Sequence, residues 1–211
     1  MDTSYFAAAA TLATIKAPAS VSADGNTTGF ELTPYFGKIA FMLSALNTAG
    51  TNPTMAIKLQ SSADADLIGA ITGTRTGNGS ITELCAMADA VTEAVTLTFT
   101  SATAFSVVGG TTSAMAAGTV GTKYIAGQLE FMVTAGTTAF EVDDTIVVAV
   151  TGRTWADVSG VAFTGLTTGA SLQRITADVD KLPRFARFNM DIGGTVGPVY
   201  TIGIALLGLK Q

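Results

Sequence analysis

Histidine is absent from this 211-residue chain, and cysteine occurs only once, as Cys85. The first absence removes the commonest general base, the commonest metal ligand and every Ser-His or Cys-His nucleophile arrangement. The second rules out an internal disulfide and a thiolate metal cluster. Catalysis through Asp, Glu, Lys or Tyr is left, but the expectation is a protein that is not an enzyme. Charge is scarce as well: 13% of residues are charged while 48% are hydrophobic, and mean hydropathy is +0.45. A lone monomer normally dilutes its apolar surface with more charge than this. No apolar run approaches the roughly 18 residues that span a bilayer, so the surplus is expected to cover subunit contacts rather than lipid. The net charge of −5 argues against a protein that grips nucleic acid phosphates. Met1-Asp2-Thr3-Ser4 lacks the basic cluster of a secretory signal, so folding in the producing cell's cytoplasm is expected.

What is present is alternation with a period of two. Ile39, Phe41 and Leu43 share one face of Lys38 to Ala45, and Met55, Ile57 and Leu59 alternate with Ala56, Lys58 and Gln60. Val95, Leu97 and Phe99 alternate with threonines, and Leu129, Phe131 and Val133 with Glu130, Met132 and Thr134. Ile146, Val148 and Val150 follow an acidic turn at Asp143-Asp144. Ala186, Phe188, Met190 and Ile192 oppose Arg187, Asn189 and Asp191, and Tyr200, Ile202, Ile204 and Leu206 close the series. With Thr abundant and Gly, Asn, Asp and Pro punctuating the segments, the pattern predicts an all-β, antiparallel sandwich.

Composition shifts inside the chain. Residues 67–153 hold seven acids (Glu83, Asp89, Glu93, Glu130, Glu141, Asp143, Asp144) against Arg75, Lys123 and Arg153, while the flanks hold nine acids against eight bases. Gly-Thr-Arg-Thr-Gly-Asn-Gly (73–79) enters this stretch and Thr-Gly-Arg (151–153) leaves it, both turn-rich. The expected layout is a host sandwich from residues 1–66 and 154–211 interrupted by a second small sandwich at 67–153. Insertion into a surface loop adds little loop-closure entropy.

Thr76-Gly77-Asn78-Gly79, Val95 to Ser106 (VTLTFTSATAFS), Gly118 to Gly121 (GTVG), Leu129 to Phe140 (LEFMVTAGTTAF) and Asp144 to Val150 resemble an inserted Ig-like module of phage virion proteins. Asp143 stands where that module carries a glycine, which leaves the shape of the turn open. The flanks resemble head decoration (cement) proteins of tailed bacteriophages with a jelly-roll-like sandwich. The matching pieces are Ala56 to Ser62 (AIKLQSS), Trp155-Ala156-Asp157-Val158, Arg184 to Ile192 (RFARFNMDI) and Gly193 to Leu209. The resemblance implies a jelly-roll-like host whose Gln-Ser-Ser … Trp-x-Asp-Val hairpin has received the module. It implies a virion protein on the capsid surface, assembled in the host cytoplasm. Its partners would be the major capsid protein and its own copies, with a trimer preferred, and neither nucleic acid nor membrane. No cofactor, catalytic residue or metal site is implied.

Single residues offer further candidates. Ser61, Ser62, Asp64 and Asp66 could hold Ca²⁺ through hard oxygens, although turn formation explains them better. The adjacent Asp143 and Asp144 point apart at a strand end and read as a turn. Paired carboxylates could cleave a glycoside, but one tryptophan (Trp155) and four tyrosines build no sugar cleft. Arg174, Lys181, Arg184 and Arg187 beside Phe185 and Phe188 fit a rim of salt bridges to an acidic partner better than a nucleic-acid platform. Ser4 to Ala13 (SYFAAAATLA) reads as a short helix or an arm laid on a neighbour. Cys85 is expected to fill a small apolar space, and Gly193-Gly194 with Gly197-Pro198 a tight connection. Two alternative functions stand beside decoration: a carbohydrate-binding or adhesion module using Trp155 or Tyr124, and a tail or baseplate protein.

Overall fold

The structure, a computed structural model, describes residues 10–62 and 67–210. It is all-β and antiparallel throughout. The chain divides into two compact units, residues 1–63 with 155–211, and residues 64–154. In chain order, β1 (Ala10–Val21), β2 (Gly25–Asn26), β3 (Phe30–Glu31), β4 (Tyr35–Thr51) and β5 (Thr54–Ser62) open the first unit. The second contains β6 (Ile68–Thr72), β7 (Ser80–Ala86), β8 (Glu93–Phe99), β9 (Ala104–Gly109), β10 (Ser113–Ala114), β11 (Gly118–Thr119), β12 (Lys123–Ala126), β13 (Leu129–Thr134) and β14 (Thr145–Val150). The first unit resumes with β15 (Ala156–Leu166), β16 (Ala170–Asp178), a 3₁₀ turn at Val179–Lys181, β17 (Phe185–Gly193) and β18 (Val196–Lys210).

Two sheets form the first unit, ordered β1-β18-β4-β16 and β15-β5-β17-β2, with β3 also on β17. Every segment predicted from alternation lies within a strand, and the apolar parity points inward as expected. Ile39, Phe41 and Leu43 of β4 and Ile202, Ile204 and Leu206 of β18 meet Ile57, Leu59, Phe188 and Met190 of the opposite sheet. Phe41 and Phe188 meet edge-on at 4.9 Å, the favoured geometry for aromatic quadrupoles. The sheets are also tied along one margin. The Gln173 carboxamide on β16 accepts from the Thr164 N–H (2.7 Å) and donates to the Thr164 carbonyl (3.0 Å) on β15. The strands on either side of the second unit, β5 and β15, are direct neighbours, with Ser61 opposite Ala156 and Gln60 opposite Asp157.

Sheets β10-β9-β8-β14-β6 (with β11 on β9) and β12-β13-β7 make the second unit. Its core joins Val95, Leu97, Phe99, Phe105, Phe131, Val133, Ile146 and Val148. The Thr76–Gly79 segment, read from sequence as part of a turn-rich boundary, has a sharper role in the second unit. A Cβ on Gly77 would come within 2.6 Å of the Phe140 ring, and one on Gly79 within 2.3 Å of the Thr134 carbonyl, so only glycine lets this backbone approach so closely. Asn78 Oδ1 accepts the Thr138 N–H (2.9 Å), which fixes the approach, and Phe140 stacks on Phe99 at 3.9 Å. Asp143 adopts φ +71°, the left-handed conformation that glycine favours, so the turn keeps a glycine-like backbone without the glycine. Among the described residues no buried side-chain polar atom lacks a partner.

The helical alternative for Ser4 to Ala13 is overturned where it can be seen: Ala10–Ala13 is extended in β1, pairing with Leu206–Leu209 of β18. Ser4–Ala9 lie outside the described residues, as do Asp64 and Asp66, while Ser61 and Ser62, read with them as turn formers, are instead the last residues of β5. Alanine's helix preference amounts to tenths of a kcal/mol per residue, too little to resist a complete strand ladder.

Candidate functional site

In the first unit the two outer faces differ in chemistry. On the β15-β5-β17-β2 sheet, outward side chains are polar and linked to one another. Arg187 Nε donates to Gln60 Oε1 (2.9 Å), Gln60 Nε2 donates to Asp157 Oδ1 (2.9 Å), and Lys58 Nζ reaches Asp157 Oδ2 (3.1 Å). The hydrogen bonds from Gln60 and Lys58 hold the Asp157 carboxyl below its ordinary range. Asn189 Nδ2 continues the network to Asn26 Oδ1 at 3.1 Å. Trp155 carries the Arg187 guanidinium 4.6 Å over its ring.

The outer face of β1-β18-β4-β16 is apolar. Residues directly opposite across antiparallel strands share a face. One row runs Leu12, Leu207, Ala40, Thr176, and the next Thr14, Ala205, Met42, Arg174. Gly203, Ser44 and Leu172 form a third row, and Thr201, Leu46 and Ala170 a fourth. Leu12 is 63% and Leu172 85% exposed, and Met42, Leu46 and Leu207 join them among the exposed large hydrophobics. Because Gly203 has no side chain, the face sinks into a trough of about 260 Å³ lined by Thr14, Lys16, Pro18, Met42, Ser44 and Leu172. Cations flank this trough on both edge strands, Lys16 on β1 and Arg174 on β16. Contiguous apolar surface with a polar margin is characteristic of a docking surface.

The other sequence candidates are dispersed. Phe185 and Phe188 are buried, so they offer no platform for bases. Lys181 pairs with Asp178 (3.2 Å) and Arg184 with Glu31 (2.7 Å), while Arg174 makes none of the ion pairs found among the described residues. Tyr124, considered as an exposed sugar platform, is instead buried, stacked 4.6 Å from Phe131, its hydroxyl donating to the Ala116 carbonyl (3.0 Å). Cys85 sits half-buried on β7 rather than in a sealed space. Gly194 (φ +144°) makes the tight link between β17 and β18. Asp144 is buried and accepts from the N–H groups of Glu141 (3.0 Å), Gly77 (3.0 Å) and Thr76 (2.7 Å). Those backbone donors, Glu141 first, with Arg75 nearby, hold its carboxyl below the aspartate range despite burial. Among the described residues no group of three or more Cys, Asp or Glu is placed to hold a metal ion, and no helix is long and apolar enough to cross a membrane.

The apolar face was the feature that residue patterns missed; only the scarcity of charge hinted at it.

No protein-family model matches the chain, and no curated protein does. Among solved structures, FlgL of Xanthomonas campestris shares 18% identity at a TM-score of 0.31, over 48% of this chain and 33% of that one. The structure of infectious bursal disease virus, Gx strain, shares 9% identity at a TM-score of 0.24, over 96% of this chain and 81% of that one. At these scores neither likeness bears on function.

Proposed function

We propose that the chain is a non-enzymatic structural protein of a tailed-phage particle, coating the outer surface of the capsid as a homo-oligomer. The observation that carries this reading is the division of the first unit into one self-satisfied polar face and one exposed apolar face. A monomer gains nothing from exposing Leu12, Met42, Leu46, Leu172 and Leu207 together, whereas a docked surface gains about 25 cal/mol for each Å² removed from water. The sequence resemblance to decoration proteins, with its inserted Ig-like module, supplies the setting. Mechanically, the protein acts as a clamp. Each copy makes modest contacts, and their linkage through the oligomer raises the total strength without any single strong site.

The test is to add purified protein to capsids that lack it and to image the particles. The expected result is regular extra density over the outer shell, lost with a Leu46→Asp, Leu172→Asp variant that remains folded. Density confined to the tail, or no binding, would refute the reading.

A further inference from the structure

We propose that the apolar trough of the first unit receives the Glu141-Val142-Asp143 turn of a second copy of this chain. The inference deepens the oligomeric part of the proposed function and rests on it.

The trough specifies its occupant by charge. Lys16 and Arg174 lie on the two edge strands, and the β1 to β16 separation is three strand spacings, about 14 Å. Two copies of this face laid against each other would bring these cations together, which opposes like-face pairing. The complementary shape is an apolar knob with a carboxylate on either side. The second unit carries one: Val142 is 63% exposed and is flanked by exposed Glu141 and Asp143. The Cα atoms of Glu141 and Asp143 lie within about 7 Å of each other. Their side chains and the long Lys16 and Arg174 stems close the remaining gap from both sides.

The knob is also pre-formed. Asp144 Oδ2 accepts the Glu141 N–H (3.0 Å), the Asp144 N–H donates to the Glu141 carbonyl (3.2 Å), and the Asp143 N–H donates to Phe99 (2.9 Å). Asp143 is held at φ +71°, a conformation that needs such support in a residue other than glycine. A locked turn loses little freedom on docking. The contact joins different surfaces of the two copies, so it either closes reciprocally in a dimer or continues head-to-tail into a ring or an open chain.

Sedimentation of the full chain tests this with charge exchange. The expected result is a wild-type oligomer whose association weakens at least about tenfold in K16E/R174E and again in E141K/D143K, and recovers to within about threefold when all four changes are combined. Glu141, Asp143 and Arg174 are exposed and Lys16 is half-buried beside the trough, and matching far-UV CD spectra establish that each variant is folded. A wild-type monomer, an oligomer indifferent to either pair, or failure of the combined variant to recover would each overturn the proposal. Capsid binding is read separately. An oligomer that responds to the exchange but ignores capsids sinks only the coat reading. Loss of capsid binding in K16E/R174E with self-association unchanged would assign the trough to the capsid protein and sink this one.

Discussion

A single carboxylate, Asp144, joins three backbone N–H groups from two segments that are distant in sequence: Thr76 and Gly77 on one side and Glu141 on the other. Because these donors favour the charged form, its folded pKa lies below the value near 3.9 of an unfolded aspartate. The unfolded chain therefore takes up its proton first as pH falls. The stabilisation is fully present above about pH 4 and is lost as pH drops through the folded value. Asp144→Asn removes the charge and places an amide donor against backbone donors. Thermal unfolding followed between pH 7 and pH 3 is expected to show a lower Tm for the variant at neutral pH and a shallower fall in acid. Parallel Tm curves for variant and wild type would contradict this account. The neighbouring glycines offer a steric test. In Gly79→Ala the new methyl meets the Thr134 carbonyl and the Phe140 ring, both within 2.6 Å, and the backbone must shift. Overpacking of this kind costs about 1–3 kcal/mol, to be read from urea unfolding.

Individual strands separate what alternation reveals from what it hides. In β8 and β17 one parity is apolar and the other polar, so the buried sides of Val95–Phe99 and Ala186–Met190 are legible from the residues alone. In β4 the buried parity of Ile39, Phe41 and Leu43 is legible, but Ala40 and Met42 make the opposite parity apolar too, and nothing local marks that side as a docking face. β16 is inverted: Leu172 is exposed while Ser171 and Gln173 are half-buried. The inversion is affordable because the Gln173 amide satisfies itself on the Thr164 backbone at the sheet margin. β15 is hidden by register shifts between Asp157 and Ala162 and between Phe163 and Leu166, which break its period. The docking face was illegible for this reason: its defining residues sit on strands whose patterns are ambiguous or reversed. A paired substitution exposes the difference in energy. Phe188→Ala, which removes a ring touching Phe30, Phe41 and Phe163, is expected to destabilise the protein by about 3–5 kcal/mol. Leu172→Asp, compared at a concentration where both proteins are monomeric, is expected to stay within about 0.5 kcal/mol of wild type. Equal losses in denaturant unfolding of the two monomers would mean that Leu172 is packed within its own chain.

Among the described residues of the whole molecule, two hydrophobic cores share no residue. Charge follows the same division. The 64–154 unit carries Asp64, Asp66, Glu83, Asp89, Glu93, Glu130, Glu141, Asp143 and Asp144 against three bases, while acids and bases nearly balance in the other unit. Net charge on a unit keeps it soluble but adds self-repulsion to its folded state. Separate cores unfold together only when the free energy coupling them is comparable to the stability of the weaker one. Among the described residues each unit has its own sheets and its own core, so each has what it needs to unfold on its own. Scanning calorimetry is expected to resolve two transitions. Phe188→Ala should lower one of them and leave the other in place. Phe131→Ala, which removes the ring between Phe105 and Tyr124, should lower only the second. One transition displaced by both variants would show that the cores are energetically coupled, and the two units would then have to be treated as a single folding body.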